Sequence, residues 1–127
     1  MYVVTGGAGF IGSNIVWALE ERGLGPIVVI DRLHDQSKWR NLAKRELADM
    51  IPPEHTLEFL DANATTIDVV IHMGAISATT ETDVDLIMRN NFHLSMELWR
   101  WCTAHNVRLI YASSAATYGD GSRGFDD

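Results

Sequence analysis

The sequence has little cysteine, few basic residues and no long apolar run, and each shortage excludes a class of protein. Cys102 is the single cysteine among 127 residues, so no disulfide framework can form within the chain, and a reducing cytoplasm is the expected compartment. Lys and Arg number 10 against 17 Asp and Glu, which gives a formal net charge of -7. Because nucleic-acid surfaces need clustered basic side chains, we expect no nucleic-acid partner.

Membrane, secretion and metal signals are also missing. No stretch approaches the roughly 20 apolar residues that span a bilayer, so no membrane partner is expected. The N-terminus leads directly into Tyr2-Val3-Val4, a strand-like run with no basic segment before it, and we expect no secretory signal. The five histidines lack metal-ligand spacing, so no metal site is expected.

The apolar residues that are present, together with 46% hydrophobic content, predict the core of one domain. Short runs of β-branched residues are nearly continuously apolar, which is typical of parallel strands buried on both faces. They lie at residues 2–5, 27–30, 67–71 and 107–112, with a weaker pattern at 46–50. Helical patterns separate these runs. The alternation predicts an α/β fold, a Rossmann-type doubly wound parallel sheet with strand order 3-2-1-4-5.

Three longer segments have helical patterns. The first ends at Arg22-Gly23, where glycine supplies a stop signal. The second begins at Pro52-Pro53-Glu54 and runs to about residue 62. The third covers residues 83–104, where Thr82 and Asp85 have capping-box spacing. Helical spacing places a set of residues on one face of this third segment: Val84, Ile87, Met88, Asn91, Ser95, Leu98 and Cys102.

The strongest chemical signal is the glycine-rich segment at residues 5–12, which follows the first strand and opens the first helix. Gly7, Gly9 and Gly12 have the G-x-G-x-x-G spacing of dinucleotide-binding loops, and the fingerprint requires this context. Such glycines permit a tight turn, close approach of the backbone to a pyrophosphate, and close packing of helix on strand. The helix N-terminus offers free amides to the phosphates. Asp31 ends the second strand, where a carboxylate usually accepts from a ribose hydroxyl.

The segment at 5–14 resembles the extended short-chain dehydrogenase/reductases, the family of sugar-nucleotide epimerases and dehydratases. Further similarity at 72–81, 88–92 and 111–119 extends the resemblance over essentially the whole chain. Within the family, these segments are most similar to the branch that acts on ADP-heptose for lipopolysaccharide synthesis. The resemblance implies an NAD(P)-dependent epimerase that oxidises its sugar transiently and then reduces it again. Residues 1–127 would form its NAD(P)-binding Rossmann domain.

The resemblance also assigns the residues that bind the cofactor. These are Gly6, Gly7, Gly9, Phe10, Ile11, Gly12, Asp31, Arg32, Lys38, Met73, Gly74, Ala75, Ser77 and Asn90. Met73 departs from the family, which often has an acidic residue there, and Arg32 replaces a smaller polar residue. Arg32 and Lys38 could pair with a 2′-phosphate, so NADP is expected over NAD, although Asp31 would repel that phosphate. For Asn90, solvation on the helix face is the alternative.

Small and hydroxylated residues follow the two later strands, where ligands of open α/β sheets bind. The expected contacts to the nucleotide sugar are Ser77, Thr79, Thr80 and Ser114. The resemblance gives Ser114 the catalytic role, in which its hydroxyl polarises the reacting oxygen. A turn after the strand is the alternative for Ser113 and Ser114, and a helix cap is the alternative for the two threonines.

The family's catalytic Tyr-x-x-x-Lys motif does not occur in the sequence, because neither Tyr111 nor Tyr118 has a lysine four positions later. The resemblance places that motif beyond residue 127. We therefore expect the N-terminal part of a longer, homo-oligomeric enzyme, without its remaining strands and substrate domain and inactive by itself. Two alternatives stay open: a 4-epimerase or 4,6-dehydratase of other nucleotide sugars, and a non-catalytic NAD(P)-binding module.

Overall fold

Five short strands form one parallel sheet in the computed structural model, which describes residues 1–33, 37–78 and 80–125. The strands are β1 (Tyr2–Thr5), β2 (Ile27–Ile30), β3 (Asp49–Ile51), β4 (Val69–His72) and β5 (Arg108–Tyr111). Their order is β3-β2-β1-β4-β5, and every neighbouring pair is parallel. The predicted fold class and strand order are confirmed. The order reverses between β1 and β4, which is the switch point where open α/β sheets bind ligands.

The described residues contain four α-helices: α1 (Phe10–Glu21), α2 (Thr56–Ala62), α3 (Val84–Ile87) and α4 (Leu94–His105). A π-helical segment, Met88–His93, joins α3 to α4. Short 3-10 turns lie at Lys38–Asn41, Pro53–His55 and Ala115–Tyr118. None of the helices in the described part of the chain is long and apolar enough to cross a membrane.

Successive residues of β1 point to opposite faces of the sheet and divide the core into two clusters. Val4 packs in a cluster with Val16 of α1, whereas Val3 packs with Leu60 of α2 and Leu98 of α4. All five side chains are fully buried. A sheet covered on both faces explains why its central strands are continuously apolar rather than alternating.

The first helix ends as predicted. Gly23 has φ of +64°, a left-handed conformation that glycine adopts without a Cβ penalty. Its amide donates to the Glu20 carbonyl at 2.9 Å, and the Leu24 amide donates to the Leu19 carbonyl at 3.0 Å. This pair of bonds is a Schellman motif, which satisfies the last carbonyls of the helix.

The bounds of three strands differ from the prediction, and the fifth strand is shorter by one residue at each end, spanning Arg108–Tyr111 rather than 107–112. The third strand spans Asp49–Ile51 rather than 46–50, because Leu47 packs against the core outside the ladder. The fourth strand begins at Val69 and includes His72, whereas the prediction placed it at 67–71. The predicted helix after Pro52 is confirmed, with its first turn in 3-10 form.

The predicted helix over 83–104 is helical from Val84 to His105, but the π-helical segment inside it was not predicted. The Leu94 amide donates to the carbonyl of Arg89, five residues back, instead of four. The predicted capping box at Thr82 and Asp85 is wrong. The cap is Asp83, whose Oδ1 accepts from the Leu86 amide at 2.9 Å.

The predicted apolar face of this helix is only partly buried. Leu98 and Cys102 are buried as the predicted face requires, but Val84 is 66% exposed and Met88 is 42% exposed. Trp101, three residues after Leu98, is buried as well. Ile87 and Asn91 are half-buried, so the predicted face fails at Val84 and Met88 only.

Candidate functional site

A crevice of about 500 Å³ lies where the carboxyl ends of β1, β2 and β4 meet. Most of the predicted cofactor residues line it: Gly6, Gly9, Phe10, Ile11, Gly12, Asp31, Arg32, Lys38, Met73, Gly74, Ala75, Ser77 and Asn90. Gly7 does not, because it packs beneath the loop, where an added Cβ would lie 2.8 Å from both methyl carbons of Val29. One continuous surface thus collects residues that are far apart in the sequence.

Gly6 and Gly12, like Gly7, occupy positions of the glycine-rich loop where a side chain would collide with its neighbours. Gly6 has φ of +66°, and an added Cβ would lie 2.8 Å from Cα of Gly74 in the loop after β4. At Gly12, a Cβ would collide with the Gly6 carbonyl oxygen. The first glycine therefore makes the tight turn, and the last lets α1 pack directly on the loop.

The N-terminus of α1 faces the crevice without a competing side chain. Gly9 is the N-cap, no side chain caps it, and the first turn contains no acidic residue. The amides of Phe10, Ile11 and Gly12 begin the helix, so they have no carbonyl four residues back within it. Because the helix has 12 residues, its aligned dipoles add a partial positive charge at this end. This arrangement is suited to a phosphate group.

Asp31 connects the glycine-rich loop to the end of β2. Its Oδ2 accepts from the Ala8 amide at 2.8 Å, and its Oδ1 accepts from Lys38 Nζ at 2.9 Å. The carboxylate side chain is 8% exposed, and Asn41 fixes the same loop by donating to the Ala8 carbonyl at 2.8 Å. Asp31 therefore shapes the loop as well as lining the crevice.

The two basic residues predicted for a 2′-phosphate both lie at this end of the crevice. Lys38 is paired with Asp31, and Arg32 Nη2 lies 3.0 Å from Glu54 Oε2. A backbone hydrogen bond at Glu54 and then the Arg32 guanidinium lower the pKa of this exposed carboxyl. To bind a 2′-phosphate, Lys38 would have to leave Asp31 and Arg32 would have to leave Glu54.

The loop after β4 forms the opposite end of the crevice. The Met73 amide donates to the Thr5 carbonyl at 3.2 Å, and the Gly74 amide donates to Thr5 Oγ1 at 3.0 Å. Asn90 also lines this crevice from the π-helical segment, while its Nδ2 donates to the Leu86 carbonyl at 2.8 Å. The asparagine therefore faces the crevice rather than only solvent.

The predicted sugar contacts are not all brought together. Ser77 lines the crevice, but Thr80 and Ser114 do not, and Thr79 lies outside the described residues. Ser114 is the N-cap of the turn after β5, and its Oγ accepts from the Ala116 amide at 3.2 Å. This is the turn expected as its alternative role. The hydroxyl proton remains available to a substrate oxygen, so the catalytic role stays a prediction.

Sequence reasoning missed several residues of the crevice wall. Thr5, Ile30, Pro53, Ile76 and Leu94 also line it. The first two end strands β1 and β2, so the rule that ligands bind at carboxyl ends of strands could have found them. Leu94 follows the π-helical segment, for which the sequence pattern gives no signal. No group of three or more His, Cys, Asp or Glu that could hold a metal occurs among the described residues.

Residues 2–127 match the NAD dependent epimerase/dehydratase family. The ADP-L-glycero-D-manno-heptose-6-epimerases of Fusobacterium nucleatum and Nitratidesulfovibrio vulgaris are 51% and 50% identical over the whole chain, which covers 39% and 40% of their lengths. A solved UDP-glucuronic acid 4-epimerase mutant from Bacillus cereus, in complex with UDP-4-deoxy-4-fluoro-glucuronic acid and NAD, has a TM-score of 0.79 at 28% identity. That alignment covers 99% of this chain and 44% of the other. The chain thus spans about two fifths of the length of these relatives.

Proposed function

The chain belongs to the NAD dependent epimerase/dehydratase family, and on that premise we propose that it is the cofactor-binding part of a nucleotide-sugar epimerase that acts on ADP-heptose. The observation that carries the proposal is the crevice, which gathers the glycine-rich loop, Asp31, the loop after β4 and Asn90 along one sheet edge. No single motif brings these residues together. They meet because they follow β1, β2 and β4, which are neighbours in the sheet.

Strand order supports one orientation for a bound dinucleotide. Asp31 at the end of β2 suits the adenosine ribose, and the N-terminus of α1 after β1 suits the pyrophosphate. Since β4 lies on the far side of β1 from β2, the nicotinamide half falls against residues 73–77. Ser114 follows β5, the next strand along, where the sugar would lie.

When bound, the cofactor would supply the redox chemistry by taking a hydride from the sugar and giving it back to the opposite face of the same carbon, so that no external oxidant or reductant would be needed. The Ser114 hydroxyl would donate to the reacting oxygen, where negative charge develops.

The substrate assignment rests on degree of similarity. Relatives named for ADP-heptose are 50–51% identical to the chain, whereas the solved UDP-glucuronic acid 4-epimerase is 28% identical. This difference favours ADP-heptose over other nucleotide sugars. A non-catalytic binding module has no supporting observation of its own, although the sequence contains no Tyr-x-x-x-Lys motif.

The compartment and the assembly state belong to the same proposal. A cytoplasmic enzyme fits the single cysteine, Cys102, which is buried and whose pKa burial raises to about 11. Homo-oligomerisation fits the large apolar side chains exposed along the helix from α3 to α4: Val84, Met88, Phe92, Met96 and Trp99.

Substitution at Gly9 tests the proposal with little risk to folding. An added Cβ there would meet only the Gly6 carbonyl oxygen, at 3.2 Å, and would otherwise point into the space assigned to the pyrophosphate. Gly9→Ala should weaken NAD(P) binding by about tenfold or more, because displaced phosphate loses amide hydrogen bonds. Gly25→Ala is the matched control, since its Cβ would lie 3.8 Å from the Ile27 amide, away from the crevice. Equal affinity in both variants and the wild type, measured by calorimetric titration, would reject the site.

A further inference from the structure

His72 is a buried polar side chain that the proposed reaction does not use. It ends β4, is 2% exposed, and stacks on Tyr111 of β5 with ring centroids 5.6 Å apart. Both ring nitrogens have partners from other elements. Nδ1 lies 2.6 Å from Thr5 Oγ1 at the end of β1, and Nε2 lies 2.9 Å from Ser95 Oγ in α4.

The contact with Ser95 fixes the tautomer of this imidazole, and the contact with Thr5 agrees with it. Thr5 Oγ1 accepts from the Gly74 amide at 3.0 Å. The hydroxyl proton of Thr5 can itself be donated to His72 Nδ1, which lies 2.6 Å from Thr5 Oγ1. On the other side, Ser95 Oγ donates to the Asn91 carbonyl at 2.8 Å, so it accepts from the ring. His72 therefore carries its proton on Nε2 and accepts on Nδ1.

These bonds belong to a chain of hydrogen bonds, called the circuit below, that starts and ends in the loop after β4. Asn91 lies in the π-helical segment and holds Ile76 twice: its Nδ2 donates to the Ile76 carbonyl at 2.9 Å, and its Oδ1 accepts from the Ile76 amide at 2.7 Å. The circuit thus runs from Gly74 through Thr5, His72, Ser95 and Asn91 to Ile76. Both of its ends are crevice-lining residues of one short loop.

We propose that His72 is a positioning residue: as the link between Thr5 and Ser95, it holds the 73–77 loop and the π-helical segment at the spacing that the nicotinamide half of the cofactor requires. The inference rests on the proposed function, because it assigns the loop to the nicotinamide half. It adds a role for His72, Ser95 and Asn91, which do not line the crevice and which act through Gly74 and Ile76.

The burial of the ring agrees with this role. Burial lowers the pKa of His72 to about 4, so the imidazole stays neutral near neutral pH and keeps Nδ1 as an acceptor. A protonated ring would present two donors, and the bond in which Thr5 donates would be lost. Stacking on Tyr111 connects the same ring to the strand that precedes Ser114.

Ser95→Ala tests the circuit with less risk to folding than a change at the buried histidine. The variant removes the bond to His72 and the bond to Asn91 while leaving the pyrophosphate and adenosine contacts intact. We expect NAD to bind about fivefold to tenfold more weakly, from the loss of about one or two hydrogen bonds. Binding of ADP, which lacks the nicotinamide half, should change by less than about twofold. Ser95→Thr keeps the hydroxyl and should restore NAD binding.

Thr103→Ala is the matched control, because Thr103 Oγ1 makes the same type of bond in the same helix, to the Trp99 carbonyl at 2.8 Å, outside the crevice. It should leave both affinities unchanged. A second measurement, ¹⁵N NMR of the His72 ring, should show the neutral Nε2–H form in the wild type.

Three results would overturn the inference. Equal weakening of NAD and ADP in Ser95→Ala would show a merely structural role and leave the proposed function standing. An Nδ1–H ring or a charged ring at neutral pH would contradict the circuit itself. A wild-type chain that binds neither NAD nor ADP would reject the proposed function and the inference together.

Discussion

The two ends of the crevice are built in different ways. At the β1–β2 end, the glycine-rich segment supplies the surface at the N-terminus of α1, and the lack of side chains at Gly6 and Gly12 gives that segment its shape. At the β4–β5 end, the surface depends on side chains that are distant in sequence: Thr5 and His72, for example, are 67 residues apart. The first end is specified by a local motif and the second by tertiary contacts. A local motif can therefore be recognised in the sequence, whereas the circuit becomes visible only in the fold.

Acidification should have the largest effect, because it acts on His72 at the β4–β5 end and lowers the free energy of unfolding. The pKa of His72 is about 4 in the folded chain against an ordinary value of 6.5, so the unfolded chain takes up the proton first as the pH falls. The free energy of unfolding should therefore decrease between pH 6.5 and 4, by roughly 3 kcal/mol in total. Urea unfolding at a series of pH values measures this loss. His72→Gln removes the titrating group, and an equally steep profile in that variant would contradict the assignment.

Turnover should depend on the β4–β5 end. In an enzyme that contains this chain and is as long as its relatives, Ser114→Ala should lower kcat on the order of 10²-fold or more. The substitution removes a hydrogen-bond donor to the oxygen on which negative charge develops. NAD(P) affinity should change little, because Ser114 does not line the crevice. Ser113→Ala is the neighbouring control. If kcat falls only in Ser113→Ala, the two serines have been assigned the wrong way round.

Cofactor choice should depend on the β1–β2 end, with the smallest effect. Arg32→Ala should weaken NADP about fivefold and leave NAD unchanged, because one exposed ion pair with the 2′-phosphate is lost. Glu54→Gln should have the opposite effect, since it frees Arg32 from its present partner. Titrations of both cofactors measure the two changes. Tighter binding of NAD than of NADP by the wild type would show that the Asp31 carboxylate outweighs the two cations.

What the sequence could predict follows the same division. The strand order, the end of α1 at Gly23 and the gathering of Asp31 with the glycine-rich loop are confirmed, because each depends on a periodic pattern or a short motif. The β3 boundary was wrong because Leu47 looks like a strand residue but packs outside the ladder.

The π-helical segment was beyond prediction for a physical reason. A helix with one wider turn keeps the composition and nearly the period of an ordinary helix, and it is stabilised here by bonds from Asn91 to Ile76, 15 residues away. The predicted apolar face is wrong at Val84 and Met88, which are exposed. Ser114 could be predicted from the family resemblance, but its place relative to the crevice could not.

In the proposed orientation, the crevice binds a dinucleotide with adenosine at β2, pyrophosphate at β1 and nicotinamide at β4. The most direct measurement compares the backbone NMR shifts of the chain after titration with ADP and with NAD. Both ligands should move the amides of Phe10, Ile11 and Gly12, and only NAD should also move those of residues 73–77 and Asn90. If ADP also shifts the amides of residues 73–77, or if neither ligand shifts the amides at the N-terminus of α1, the proposed orientation is wrong.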